Sequence, residues 1–214
     1  EALKEESPLA MLLKKKEAAK TEDGHYGYLV DDKLMPEVVA VAEDSISLGR
    51  FEVTNAQYQA YDRDHTFSPL AANHPVYGIS AENAENYVSW LSEQRGESYR
   101  LPDSQEAEKW HKMAIKKASK ENTLNYWAGY NITPDEAKML EEKLADAGKE
   151  LIKSVGSHSA LKIGKAEVYD LGGNIREYQS GGKAYGFSAY DYADANAEQD
   201  REAGSYTGIR VVKE

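Results

Sequence analysis

The side chains able to do chemistry in this sequence are defined first by what is missing. The chain has 214 residues and no cysteine, which removes disulfides, thiolate metal sites and cysteine nucleophiles together. Its five histidines, His25, His65, His74, His111 and His158, form no H-x-x-x-H or H-x-H pair, so their spacing carries no metal signature. His111 stands beside Trp110 on a predicted helix and is expected at the surface. Tyrosine is abundant instead, with 15 Tyr against 3 Phe and 3 Trp. Tyrosine offers contact area with a polar tip at low entropic cost, a combination suited to binding surfaces and equally to a half-buried lining. Between residues 183 and 206, Tyr185, Phe187, Tyr190, Tyr192, Asn196 and Tyr206 stand among small residues, with Asp191, Asp194, Asp200 and Arg201 beside them. A run of about 30 Gly, Ala, Tyr, Ser and Asp residues in a compact domain is usually functional or disordered. Recognition of a protein or a sugar is one reading of this run; a loop packed on its own domain is the other.

Several elements must position these residues. Residues 1 to about 24 are rich in Lys, Glu and Ala and are expected to be helical, ending near Gly24 to Gly27. Residues 37–41 and 47–53 read as strands. Thr54 then offers a helix cap for residues 55–62, and Ser80 another for a helix whose apolar face is Ala84, Tyr87, Val88 and Leu91. Pro102 holds Leu101 extended, and Asp103 with Glu106 has capping-box spacing before a helix carrying Ala107, Trp110 and Ala114. Thr133-Pro134-Asp135-Glu136 combines a cap, a first-turn proline and a box glutamate. Residues 151–155, 167–169 and 208–212 read as strands. Helices early and short strands late indicate α+β, not alternating βαβ units.

The bulk composition narrows the function. There are 37 acidic against 26 basic residues, a formal net charge of −11, which disfavours non-specific contact with nucleic acid. No apolar run approaches the roughly 20 residues that span a bilayer. The chain begins at Glu1 and not Met, which reads as a mature product or a piece of something longer.

Five segments together resemble one family. Gly49-Arg50-Phe51-Glu52-Val53-Thr54-Asn55-Ala56-Gln57-Tyr58, His74-Pro75-Val76-Tyr77-Gly78-Ile79-Ser80, Tyr99-Arg100-Leu101-Pro102, Val168-Tyr169-Asp170-Leu171-Gly172-Gly173-Asn174-Ile175-Arg176-Glu177-Tyr178 and Gly208-Ile209-Arg210-Val211-Val212 run in the order found in formylglycine-generating, sulfatase-modifying-factor domains. The resemblance implies a C-type lectin-like fold of that type: irregular, with small antiparallel sheets and several helices. It implies a domain over residues 31–214, preceded by an N-terminal helical linker or docking segment over residues 1–30. Oxidase members bind copper through two cysteines; the matching positions here are Gly186 and Asp191, so no copper and no formylglycine-generating activity is expected. The resemblance also implies a calcium loop made of the Asp170 and Glu177 side chains and the Gly173 and Ile175 carbonyls, an oxygen set such an ion accepts. The alternative is that Asn174 and Glu177 only brace a turn.

The family hosts oxidases, iron-dependent sulfoxide synthases, pyoverdine-maturation proteins and variable binding proteins, so the fold alone assigns no function. The expectation is a non-catalytic domain for a protein or glycan ligand, with Tyr185, Phe187, Tyr190, Asp191, Tyr192, Asn196, Arg201 and Tyr206 on the binding surface. It would belong to a larger bacterial protein exported to the periplasm or cell surface. The rival readings are a metal-dependent, non-heme-iron-type oxidoreductase and a structural accessory domain that steadies a neighbour through the N-terminal segment.

Overall fold

The structure is a computed structural model describing residues 18–41, 46–117, 121–194 and 203–214. Its helices begin where side chains satisfy free backbone N–H groups. Thr54 Oγ1 accepts from the Gln57 N–H and Gln57 Oε1 accepts from the Thr54 N–H, so a closed capping box opens α1, Asn55–Tyr61. Ser80 caps α2, Ala81–Arg95, which Gly96 ends at φ 61°. The Asp103 and Glu106 side chains exchange hydrogen bonds with each other's N–H groups at the start of α3, Ser104–Lys117. After α4, Leu124–Ala128, the Thr133–Glu136 box and Pro134 start α5, Pro134–Asp146.

The strands are short. β1, Tyr28–Val30, and β2, Lys33–Met35, form a hairpin turned by Asp31 and Asp32, both at positive φ. The main sheet has the antiparallel order β3 (Val38–Val41), β4 (Ile46–Gly49), β11 (Val212–Lys213), β5 (Tyr99–Arg100). β6, Leu161–Ile163, pairs with β7, Ala166–Val168. In the third sheet β8, Arg176–Tyr178, lies between β9, Ala184–Tyr185, and β10, Thr207–Gly208, antiparallel to the first and parallel to the second. One buried cluster joins Tyr58, Tyr87 and Leu91 to Ile209 and Val211. A second packs Trp110 and Ala114 on Leu48 and Val168. A third gathers Leu124, Leu151, Ile152 and Ile175. Among the described residues no helix is long and apolar enough to cross a membrane.

Three expectations change. Residues 18–24 are not helical: Lys20 bridges to Tyr26, its ammonium lies 4.2 Å from the centre of that ring, and Asn73 accepts from the Tyr26 N–H. The rest of the expected N-terminal helix, residues 1–17, lies outside the described residues. Residues 208–212 do not make one strand, because β10 and β11 belong to different sheets, with Ile209, Arg210 and Val211 buried between them. Residues 151–155 are mostly buried but enter no ladder, and Val155 already lies in a turn. Side chains take the place of a neighbouring strand there: Asn122 donates to the Leu151 carbonyl, and Asn174 both accepts from and donates to the backbone of Lys153.

Gly208 is the tightest backbone crossing. A Cβ there would lie 2.0 Å from the Val76 carbonyl oxygen and 2.5 Å from Ile175 Cδ1. Gly208→Ala is therefore expected to lose at least about 3 kcal/mol in denaturant unfolding. Gly96→Ala, which meets nothing within 4 Å and suffers only its positive φ, loses about 1 kcal/mol.

Candidate functional site

The centre of the molecule is a buried polar network. Asn174 sits at φ 66°, a left-handed conformation asparagine tolerates better than most residues. Its Oδ1 accepts from Asn122 Nδ2 at 3.1 Å and the Lys153 N–H at 2.9 Å. Its Nδ2 donates to the Glu52 carboxylate at 2.7 Å and the Lys153 carbonyl at 3.2 Å. Glu52, fully buried, also accepts from the Ile175 N–H at 3.1 Å. The turn before β8 is thus fixed from β4's exit, from residue 122 and from residue 153 at once.

Arg210 closes the network from the C-terminal side. It is completely buried, and its guanidinium donates to Glu177 at 2.6 Å, to the Gly49 carbonyl at 3.0 Å and to the Tyr169 carbonyl at 2.8 Å. Asp170 accepts from the Gly156 N–H at 2.7 Å. Carboxylates outnumber the cation. Burial, followed by the charge of Asp170, pushes Glu52 well above the ordinary carboxylate range, and burial raises Glu177 against the pull of Arg210. Burial lifts Asp170 to about 6, and burial with the charge of Asp170 lifts Glu121 to about 7.

This arrangement bears on the four proposed calcium ligands. Glu177 is close enough to Asp170 to raise its pKa against the pull of Arg210, and in sequence the two flank Gly173 and Ile175. The excess of negative charge over Arg210 is chemistry that a hard cation would relieve. Among the described residues no group of three or more His, Cys, Asp or Glu is arranged to hold a metal, so such an ion would depend on the two backbone carbonyls as well.

A second feature adjoins the network. Trp110, His111, Glu177, Tyr185 and Gly186 line a hollow of about 10 Å³, room for one water. His111 is not at the surface; it is 3% exposed, with Nδ1 2.8 Å from the Leu171 carbonyl, so that nitrogen carries the proton and donates. Its ring packs edge-on to Tyr185 and against Phe187. Residues 107, 110, 111 and 114 have the i, i+3, i+4, i+7 spacing of a buried helix face, so the inward turn of His111 was readable from the sequence. Gly186 lies over it, where an added Cβ would be 3.2 Å from His111 Cε1.

The residues expected on a binding surface separate into two groups. Tyr185 and Phe187 are buried. Asp191 bonds Arg176 through one carboxylate oxygen at 2.5 Å and the Ser188 N–H and hydroxyl through the other. Tyr190, Tyr192 and Tyr206 are half-buried. Tyr190 stacks on Tyr206 at 4.4 Å, and Tyr77 leans on Tyr206 at 5.8 Å. Asn196 and Arg201 lie outside the described residues. Sequence reasoning missed Glu52, Glu121, Asn122 and Arg210 as members of the buried network. The flanking of Glu52 by buried Phe51 and Val53 was a faint signal for the first; Asn122 offered none.

The sequence profile of the sulfatase-modifying factor enzyme 1-like domain matches residues 16–214, and the chain belongs to that family. Among solved structures it is similar to PvdO from Pseudomonas aeruginosa, with a TM-score of 0.51 and 16% identity over 92% of this chain and 98% of that one. It is also similar to CarF, with a TM-score of 0.50 and 18% identity over 85% and 94% of the two chains. Treponema denticola variable protein 1 gives a TM-score of 0.51 and 15% identity over 92% of each chain. No curated protein sequence matches. The fold is thus α+β, a C-type lectin-like fold of the formylglycine-generating type.

Two outcomes follow from the buried charges. Arg210→Met strands Glu177 and should cost about 3–5 kcal/mol by chemical denaturation. The raised carboxyls have folded values above their unfolded ones, about 4, so the fold binds protons more tightly than the unfolded chain. Their stabilisation is complete below the unfolded value and is lost as pH rises through about 6 and 7. The melting temperature is expected to fall between pH 5 and pH 8, and Glu121→Gln to flatten that slope. A slope unchanged by the substitution would contradict the assignment.

Proposed function

We propose that the chain is a non-catalytic recognition domain for a protein or glycan ligand. The observation that carries this reading is the fate of the two positions where the oxidase relatives have thiols. Gly186 packs over His111 above a hollow the size of one water, and Asp191 is tied to Arg176 and Ser188. Neither side chain can perform thiolate chemistry. Near that stretch Tyr77, Tyr190, Tyr192 and Tyr206 stay half-exposed, a composition that favours binding. One structural neighbour is named Treponema denticola variable protein 1, and variability accords with a scaffold used for recognition.

A second reading rests on the buried His111, Glu177 and Tyr185 around that hollow: a metal-dependent oxidoreductase, in the company of neighbours such as PvdO. Metal analysis of the purified protein separates the two. Stoichiometric iron or copper would support the enzyme and overturn the recognition reading.

Tyr190 and Tyr206 are the residues to alter. On glycan arrays or in pull-downs, Tyr206→Ala is expected to weaken a ligand about 10-fold or more, the loss typical of a central aromatic anchor; binding indifferent to both tyrosines would exclude this face. We also propose that calcium steadies the Asp170–Glu177 turn. At neutral pH, millimolar calcium should raise the melting temperature by a few degrees, reversibly with chelator, and Asp170→Asn should abolish the effect. An unchanged melting temperature would remove calcium from the account.

A further inference from the structure

We infer that the Tyr77–Tyr190–Tyr206 face takes a cationic partner, a protein segment bearing arginine or lysine side chains. This rests on the recognition reading above and names the chemistry of the ligand at that face. Three observations converge on it.

The first is the aromatic face itself. Tyr206 stacks on Tyr190 and is leaned on by Tyr77, and all three remain half-exposed around the cluster that contains Leu124, Ile152 and Ile175. The Tyr190 hydroxyl accepts from the Leu151 N–H, which fixes the ring from behind. A guanidinium or ammonium over such rings is attracted by their negative π-faces.

The second is charge. Glu141 on α5 is exposed and close enough to Tyr206 to raise its phenol, after burial and Tyr190 have had their effect. Glu150 is exposed, interacts with Tyr77, and stands 3.9 Å from His74 Nδ1. The helix α5 carries Asp135, Glu136, Glu141, Glu142 and Asp146 against Lys138 and Lys143. A chain of net charge −11 repels a second copy of itself and attracts a basic segment.

The third is a resident example. Lys153 places its ammonium 5.1 Å from the centre of the Trp127 ring, which packs on the same cluster. The chain's own cation already rests on one aromatic packed against this cluster, and the three tyrosines present the same chemistry to an incoming cation.

The test uses three probes: an acetylated tetra-arginine amide, an acetylated tetra-glutamate amide, and neutral chitotetraose, each titrated at low salt into the whole chain and its variants. The arginine peptide should bind and the glutamate peptide should not. Tyr206→Leu should weaken the arginine peptide about 5-fold or more. Glu141→Gln with Glu150→Gln, both on exposed side chains that do not threaten folding, should weaken it about 3-fold or more and reduce its salt dependence. Glu82→Gln with Glu85→Gln on α2 controls for attraction to net charge alone and should change nothing. Arginine binding that survives Tyr206→Leu and the Glu141 and Glu150 changes, or that falls equally with the α2 control, overturns the inference. Chitotetraose bound in a Tyr206-dependent way, with no arginine binding, keeps the recognition face and overturns its cationic preference. If no probe depends on Tyr206, the inference falls and the experiments with natural partners decide the recognition reading separately.

Discussion

The contact on which the rest depends is the hydrogen bond between the Glu52 carboxylate and the Asn174 amide. It joins residues 122 positions apart and is wholly shielded from water. Through it, the segment leaving β4 holds the turn that enters β8. Because each end makes further bonds, to Ile175, Asn122 and Lys153, the strandless stretch at 151–155 has the Leu151 carbonyl and both backbone groups of Lys153 met by side chains. A fold with so little ladder must satisfy buried main-chain groups in this way, since an unmet one costs about as much as several surface contacts can return.

Arg210 does for the opposite side what Asn174 does for the centre. Its three bonds connect β4's last residue, the segment before the Asp170 turn, and Glu177 on β8. The chain segments that mark the family are therefore wired to one another in space and are not independent decorations. The same wiring concentrates acids around one guanidinium. That charge imbalance couples the stability of the domain to proton concentration.

The proposed recognition face lies where full burial ends. Tyr185, Phe187 and Asp191 begin the long tyrosine-rich stretch but are committed to packing and to Arg176. Farther along, Tyr190, Tyr192 and Tyr206 are anchored at one edge and open at the other. A stiff ring with a fixed back and a free face is well suited to bind without paying much ordering entropy. The hollow under Gly186, by contrast, has room for one water only.

The sequence alone determined the starts of α1, α2, α3 and α5, because a capping Thr, Ser or Asp, in α1, α3 and α5 with a glutamine or glutamate three residues on, is a local signal that needs no distant partner. It also determined the family and the α+β class, because five ordered segments with fixed residue types survive as a pattern. It could not determine which tyrosines of the run would be buried, as Tyr185 is, and which half-exposed, as Tyr190, Tyr192 and Tyr206 are, since a loop has no period to read. It gave no sign that Asn122 would meet Asn174, nor that Glu52 would be dry. The β1–β2 hairpin went unnoticed because its turn is Asp-Asp and lacks the glycine that usually marks such a turn. The meeting of Asn122 with Asn174 and the burial of Glu52 were decided by tertiary structure alone, because each depends on groups tens of residues apart coming within about 3 Å, a distance no local pattern encodes.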